Sequence, residues 1–279
     1  MYFNQSFYTS YNDCSTLPHK IGNGIRQGGI LSGILFNFYI NQVIDKVTAC
    51  DVGCQLKSNK LTLVAYADDF LVMTPSKQGL QKAMNIISAK LTELNFQLNP
   101  EKCKYVRFRK GSNLCNENIT INGLEIKEVK SVKYLGIILT YNLIETDDIK
   151  RAHSSFLRQY YGFISKFSKC NLYLKLKLFN TFCTSFYGSS LWGDIRGCTK
   201  EYRAMKISYH KALKRLLGVP YWYSNHDVCN HLNFKTFDNV VNIINIFQFM
   251  FQIQRTDSLY IKYGSTCYLT PNWLNVRTK

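Results

Sequence analysis

Two adjacent carboxylates, Asp68 and Asp69, interrupt the apolar run LVAYADDFLVM at positions 63–73. A carboxylate among apolar side chains is unfavourable unless it is paired or bound to a metal. A hairpin would resolve this conflict, because its apolar arms pair with each other while the acidic residues lie at the tip. The simpler alternative for the pair taken alone is an ordinary turn that uses Asp for side-chain hydrogen bonds. Carboxylate oxygens mounted on a hairpin tip are ligands that Mg²⁺ prefers.

Helices on both sides of this run are expected to support it. Positions 30–47 carry Ile34, Leu35, Phe38, Val43 and Val47 at a spacing that predicts a helix with one buried face. Positions 76–96 predict the clearest helix of the chain, with Ser76 as its N-cap. The carboxylate hairpin should therefore lie against helices.

The other predicted elements of the front half are strands and turns. The pattern predicts a strand over 3–11, a turn-rich segment over 17–29, a loop and strand over 98–108, a hairpin around Asn122-Gly123 and a single strand over 132–139. From Asp147 onward the pattern is mainly helical, and Gly218-Val219-Pro220 should end one helix. The stretch 240–254 predicts a core-facing helix. The chain is thus α+β, with domains at 1–143 and 144–279.

The charge distribution indicates a nucleic-acid partner. The 279 residues include 35 Lys and Arg against 18 Asp and Glu, a formal net charge of +17. Residues 1–150 hold 17 basic and 13 acidic residues, whereas residues 151–279 hold 18 and 5. An anionic membrane surface is the less favoured partner for such an excess. The basic back half would supply most of the attraction for a phosphate backbone.

The ten cysteines do not form a metal-binding or disulfide pattern. Cys229 with His226 and His231 is the nearest approach to a zinc site, and reduced buried thiols are the better interpretation. Neither a signal peptide nor a membrane span is indicated. We expect an intracellular protein that acts without a membrane, in the nucleus or the cytoplasm.

Four motifs in order resemble the catalytic core of reverse transcriptases. They are GIRQGGILSGILFNFYIN at 24–41, YADD at 66–69, LTELNFQLNPEKC at 91–103 and VKYLGIIL at 132–139. Looser matches, NTFCTSFYGSSLWG at 180–193 and HKALKRLLGVP at 210–220, are similar to the helical region after the polymerase in non-LTR, LINE-type retrotransposons. The resemblance implies part of a right-hand polymerase palm, an antiparallel sheet with helices, followed by a helical thumb and C-terminal region. A group II intron maturase is the related alternative.

The resemblance also implies a chemistry and the residues that perform it. It implies an RNA-directed DNA polymerase that uses RNA template, DNA primer and dNTPs with two Mg²⁺ or Mn²⁺ ions. Asp68 would be the direct metal ligand and Asp69 would lie farther from the ions. Lys102 would lie near the triphosphate and protonate pyrophosphate. The residues expected to contact template or nucleotide are Arg26, Gln27, Gly28 and Tyr66.

A basic helix in the back half is expected to bind the phosphate backbone. Lys206, Lys211, Lys214 and Arg215 all belong to the predicted helix that ends at Gly218. An ordinary solvated helix face is the alternative for any one of them. Their combined charge predicts salt-dependent binding to a primer–template duplex.

One part of the family pattern does not match, namely the third metal-binding carboxylate. Asp13 is the single acidic residue before the RQGG segment, and its surroundings predict a turn rather than a ligand position. We therefore expect an N-terminally truncated polymerase that lacks the fingers and polymerises little or nothing alone. The alternative from another class is a nucleic-acid-binding remnant without catalysis.

Overall fold

The computed structural model describes residues 6–20, 28–56, 59–108, 118–192, 199–246 and 273–277. The chain divides into two compact units. The first comprises Met1–Tyr105, Cys115–Glu128 and Leu269–Lys279, and the second comprises Val106–Leu114 and Val129–Tyr268. The boundary expected at 143/144 falls within the second unit by this division. The mixture of helices and strands confirms the α+β class.

The elements are numbered in chain order. The strands are β1 (Ser6–Phe7), β2 (Ser10–Tyr11), β3 (Cys14–Ser15), β4 (His19–Lys20), β5 (Cys54–Leu56), β6 (Asn59–Leu61), β7 (Leu63–Tyr66), β8 (Asp69–Met73), β9 (Lys104–Val106), β10 (Ile119–Ile121), β11 (Leu124–Ile126), β12 (Ser131–Tyr134), β13 (Ile137–Thr140) and β14 (Trp273–Arg277). The helices are α1 (Ser32–Thr48), α2 (Lys77–Glu93), α3 (Thr146–Phe167), α4 (Leu172–Cys183), α5 (Lys200–Leu217), α6 (Asn225–His231) and α7 (237–246), and a 3-10 turn covers Ser189–Leu191.

A four-stranded sheet in the order β7-β8-β14-β9 forms the centre of the first unit. Its strand β8 pairs with another strand on each edge and is buried from Phe70 to Met73. The participation of β14 was not expected, since the sequence pattern assigned the C-terminal segment to the helical domain. Helices α1 and α2 contribute apolar side chains to the same core cluster as β8.

Both helices of the first unit confirm their predictions, with one change in α1. Ser76 caps α2, and its hydroxyl accepts a hydrogen bond from the backbone N–H of Gly79 at 3.1 Å. In α1 the buried residues include Ile40, Val43 and Val47, whereas Ile34 and Phe38 are exposed. The buried stripe thus differs from the expected one, because successive residues are about 100° apart around a helix axis and 34 and 38 project from another side.

Turn residues decide how the short strands pair. Asn122 and Gly123 both take positive φ values, 51° and 78°, and connect β10 to β11 as predicted. The prediction of one strand over 132–139 was wrong, because Leu135 and Gly136 take φ values of 45° and 84° and reverse the chain between β12 and β13. The expected strand over 3–11 is likewise divided into β1 and β2, and residues 3–5 lie outside the described residues.

An aromatic core holds the helices of the second unit together. Its buried rings include Phe156 and Tyr160 from α3, Phe179 from α4, Tyr209 from α5 and Phe237 from α7. The helix that ends at Gly218 is confirmed, with φ of +67° at that glycine. The core-facing helix expected over 240–254 is confirmed up to residue 246, and the rest lies outside the described residues. In the part of the chain that the structure describes, no helix is long and apolar enough to cross a membrane.

Candidate active site

The acidic pair lies at the tip of a β-hairpin, as the sequence predicts. Strands β7 and β8 are antiparallel, and Tyr66 and Asp69 form the last residue pair before the turn. Ala67 and Asp68 make the turn, and Ala67 adopts a left-handed φ of 50°. Such a conformation is unfavourable for a residue other than glycine and is found where the surroundings enforce it.

The two carboxylates differ in their surroundings. Asp68 is exposed at the turn, whereas Asp69 is half-buried at the start of β8. Because β8 pairs with β7 on one edge and with β14 on the other, the backbone that carries Asp69 is held from both sides. A side chain on such a strand is positioned more rigidly than one on a loop. The hairpin therefore provides a fixed mount for one carboxylate and an accessible position for the other.

Asp68 and Asp69 fit the donor chemistry of a Mg²⁺ site. Mg²⁺ is usually bound by one or two carboxylates together with water and substrate phosphates. Among the described residues, no group of three or more His, Cys, Asp or Glu side chains is placed to hold a metal ion. Asp13 lies in the turn between β2 and β3, as expected for a turn residue. Cys229, His226 and His231 do not form such a group within the described part of the chain either.

Lys102 is exposed in a loop whose backbone is well fixed. The backbone N–H groups of Lys102 and Cys103 donate to the carbonyl of Asn99 at 3.1 and 3.2 Å. The side-chain oxygen of Asn99 accepts from the backbone N–H of Glu101 at 3.1 Å. Cys103 is buried in the core cluster of the first unit. The lysine therefore extends into solvent from an anchored turn.

The expected nucleotide-contacting residues are placed only in part. Arg26 and Gln27 lie outside the described residues. Gly28 has a φ of 78°, and a Cβ added there would meet nothing within 4 Å, so backbone conformation rather than lack of space favours glycine. Tyr66 is 65% exposed and lies directly opposite Asp69. In an antiparallel pair, opposed residues project on the same face of the sheet, so Tyr66 and Asp69 are side-chain neighbours.

The basic residues of α5 do not form one solvent-facing cluster, which corrects the expectation from sequence. Lys211 and Arg215 are exposed one helical turn apart. Lys214 is 8% exposed, and its Nζ donates to the carbonyls of Tyr221 and Tyr223 at 2.9 and 2.5 Å. The Nζ of Lys206 contacts the Asp238 carboxylate at 2.5 Å. The difference arises because the chain after α5 folds back over Lys214 and because α7 supplies Asp238.

Sequence reasoning missed two features of the second unit. One is the buried carboxylate Asp148, which accepts hydrogen bonds from the backbone N–H of Ile138, from Arg151 and from Trp192. Its partners are spread over about 50 residues, so no local signal reveals it. The other is the exposed run Tyr221-Trp222-Tyr223. Three aromatic residues directly after a helix-ending Gly-Val-Pro were a visible signal for it.

Comparison with known proteins identifies the family of the front half. Residues 2–139 match the family model described as reverse transcriptase (RNA-dependent DNA polymerase). The RNA-directed DNA polymerase from mobile element jockey of Drosophila melanogaster is 24% identical over 251 residues, which cover 86% of this chain and 27% of that protein. Its counterpart from Drosophila funebris is 22% identical over 235 residues, which cover 80% of this chain and 25% of the relative.

A second group of relatives comes from R2 elements. The Retrovirus-related Pol polyprotein from type-1 retrotransposable element R2 of Nasonia vitripennis is 27% identical over 124 residues, or 41% of this chain and 12% of that protein. The chain thus spans about a quarter of the length of the jockey proteins that it matches. The matched region contains the β7–β8 hairpin, and the chain carries a reverse transcriptase domain homologous to the RNA-directed DNA polymerases of non-LTR retrotransposons.

Proposed function

We propose that this chain is a palm and thumb segment of an RNA-directed DNA polymerase, which extends a DNA primer on an RNA template. The observation that carries the proposal is the position of Asp68 and Asp69 at the tip of the β7–β8 hairpin, within the region that matches the reverse transcriptase family. In the reaction, the primer 3′ oxygen forms a bond to the α-phosphorus of a dNTP, and the bond from that phosphorus to pyrophosphate breaks.

The proposed roles follow from the chemistry of each side chain. Asp68 and Asp69 would hold the divalent ions, Mg²⁺ or Mn²⁺, which activate the attacking oxygen and neutralise the leaving pyrophosphate when they are bound. Lys102 extends from an anchored turn and would protonate the leaving pyrophosphate or neutralise part of its negative charge. Tyr66, on the same face as Asp69, would contact the primer end or the nucleotide. Arg26, Gln27 and Gly28 would contact template and nucleotide.

Lys211 and Arg215 are the members of the α5 set that would contact phosphates, because both are exposed. Lys206 and Lys214 are committed to Asp238 and to loop carbonyls, so we assign them structural roles. Two carboxylates alone would hold two ions weakly, and phosphoryl transfer depends on positioning and charge stabilisation. We therefore propose that the chain alone extends primers slowly.

A second candidate is a nucleic-acid-binding protein without catalysis. The formal net charge of +17 favours binding independently of the carboxylates. This candidate predicts salt-sensitive binding that is indifferent to Mg²⁺ and to substitution of Asp68 or Asp69.

Primer extension distinguishes the two candidates. The chain would be compared with an Asp68→Asn/Asp69→Asn double variant on a primed RNA template with Mg²⁺ or Mn²⁺. The matched control is Asp45→Asn, which changes an exposed carboxylate on α1. We expect extension by the chain and by the control to exceed that of the double variant by about 100-fold or more, a typical loss when transition-state charge stabilisation is removed.

Equal extension by all three proteins, or none by any of them while primer–template binding is retained, would contradict the catalytic proposal. The latter result would favour the binding function. Loss of activity in an Asp13→Asn variant that remains folded would favour Asp13 as the third ligand.

A further inference from the structure

Three consecutive aromatic residues in the connection between α5 and α6 expose their side chains. Tyr221, Trp222 and Tyr223 are 78%, 73% and 43% exposed. The rings of Tyr221 and Trp222 lie edge to face, with centroids 5.0 Å apart and planes at 84°. Exposing this much apolar surface is unfavourable in water, and such patches are typical of interaction sites. Residues 220–223 are called the aromatic loop below.

The backbone of the aromatic loop is fixed at both ends and in the middle. Before it, the N–H of Val219 donates to the carbonyl of Lys214 at 3.0 Å. Within it, the buried ammonium of Lys214 binds the carbonyls of Tyr221 and Tyr223, and the N–H of Tyr223 donates to Pro220 at 3.2 Å. After it, Ser224 caps α6. A surface ordered in advance binds without the entropic cost of ordering a flexible loop.

The exposed rings are not needed to build the core beneath them. That core is formed by Leu213, Val228 and Cys229, with Val219 packed against it. The side chains of Tyr221 and Trp222 are mostly in solvent, so their removal should leave the fold intact. The loop is therefore a rigid support for exposed aromatic rings. The contacts of these rings within the described residues do not explain why aromatic side chains occupy these positions.

The charge of the neighbouring elements indicates the class of ligand. On α5, which leads into the loop, Lys211 and Arg215 are exposed cations. On α6, which follows it, Asp227 is an exposed carboxylate. The back half of the chain, residues 151–279, carries 18 basic and 5 acidic residues. Aromatic rings for bases together with cations for phosphates are what proteins use to bind single-stranded nucleic acid.

We propose that the aromatic loop is a stacking surface for unpaired nucleotides of a nucleic-acid strand. The inference rests on the proposed function, which supplies nucleic acid as the class of ligand. It adds the position of the binding site on the protein and the single-stranded form of the nucleic acid. Unpaired bases offer a free face to Tyr221 and Trp222, whereas the bases of a duplex are already stacked on their neighbours. Arg215 would hold the phosphate backbone of the same strand.

The test compares the affinity of the full chain for labelled single-stranded RNA and for a blunt RNA–DNA duplex of equal length, by fluorescence anisotropy. We expect Tyr221→Ala and Trp222→Ala each to weaken single-strand binding by about tenfold, the lower range for one stacked base, and to change duplex binding by less than about twofold. Trp222→Phe should retain most of the affinity, because it keeps an aromatic face.

Two further readouts separate stacking from general loss of charge or fold. Tyr11→Ala, which removes an equally exposed ring in the first unit, should leave single-strand affinity unchanged. The loss caused by Trp222→Ala should persist at high salt, whereas that caused by Arg215→Ala should shrink.

If the chain binds both nucleic acids and Trp222→Ala binds single strands as tightly as the parent, the stacking proposal is overturned while the proposed function survives. An equal loss for single strand and duplex would also overturn it, because stacking on unpaired bases predicts a selective effect. Binding of neither nucleic acid by the unaltered chain would overturn both proposals.

Discussion

The indole Nε1 of Trp192 donates a hydrogen bond to the Oδ2 of Asp148 at 3.0 Å, and both side chains are buried. Asp148 also accepts from the backbone N–H of Ile138 at 3.0 Å and from Nε and Nη2 of Arg151 at 2.6 and 3.2 Å. One carboxylate at the start of α3 thus joins β13, α3 and the segment after the 3-10 turn.

Replacement of Asp148 should destabilise the protein strongly. Asp148→Ala removes four hydrogen bonds and leaves the buried part of Arg151 without its counter-charge, so we expect the free energy of unfolding to fall by about 3–5 kcal/mol. Urea denaturation followed by circular dichroism measures this change. The neighbouring Asp147 is half exposed and contacts Lys150 at 3.5 Å, so Asp147→Ala should cost less than about 1 kcal/mol. Equal effects of the two variants would contradict this role for Asp148.

Two buried tyrosines of the aromatic core should respond oppositely to loss of the hydroxyl. The hydroxyl of Tyr160 is buried without a hydrogen-bond partner among the described residues, and burial raises the pKa of Tyr160. The hydroxyl of Tyr209 donates to the carbonyl of Lys235 at 2.8 Å. Tyr160→Phe should therefore leave stability unchanged or raise it, whereas Tyr209→Phe should lower it by about 1 kcal/mol. Thermal denaturation of the matched pair would show this, and a greater loss in Tyr160→Phe would contradict it.

Stability should decrease as the pH falls below about 6.5, the ordinary histidine value. Burial lowers the pKa of His210, whose Nδ1 lies 2.9 Å from the carbonyl of Lys206, and burial also lowers the pKa of His153. The unfolded chain therefore takes up protons at these positions at a higher pH than the folded protein. The free energy of unfolding therefore falls as the pH drops from the unfolded pKa values to the folded ones. Below the folded pKa values it no longer changes because of these two groups.

Denaturation midpoints between pH 7.5 and 5.5 measure this dependence. A His153→Gln/His210→Gln variant should show a shallower decrease than the parent, because it lacks both groups. An unchanged slope in the double variant would assign the effect to other residues.

Gly53 and Gly33 should differ sharply in their tolerance of alanine. A Cβ at Gly53 would lie 2.4 Å from Oγ1 of Thr62 and 2.7 Å from the carbonyl of Leu61, so the backbone must move to accept it. Gly53→Ala should therefore destabilise by about 1–3 kcal/mol. Gly33 lies in α1 with nothing within 4 Å of a Cβ, so Gly33→Ala should stabilise by about 0.5–1 kcal/mol. Urea denaturation of both variants tests this contrast, and the same sign of change in both would refute it.

Local signals in the sequence were sufficient for much of the fold and for the centre of the candidate site. The apolar arms around Asp68 and Asp69, the cap at Ser76, the turn at Asn122-Gly123 and the stop at Gly218 all correspond to observed elements. Each of these signals acts over a few residues, because a cap or a two-residue turn is stabilised by neighbouring backbone groups. The motifs of the front half also led to the reverse transcriptase family.

Other features depended on segments that are distant in sequence. The chain reversal at Leu135-Gly136 lies inside an apolar run whose pattern is equally consistent with one continuous strand. The pairing of β14 with β8 joins positions about 200 residues apart, and the partners of Asp148 come from three separate segments. Composition identified Lys214 as one cation among several, but its burial beneath the carbonyls of Tyr221 and Tyr223 required the chain to fold back over α5. The sequence by itself determined which residues favour helices and turns and where the adjacent carboxylates lie along the chain, whereas the tertiary structure decided which charges are buried, because burial depends on the packing of remote segments.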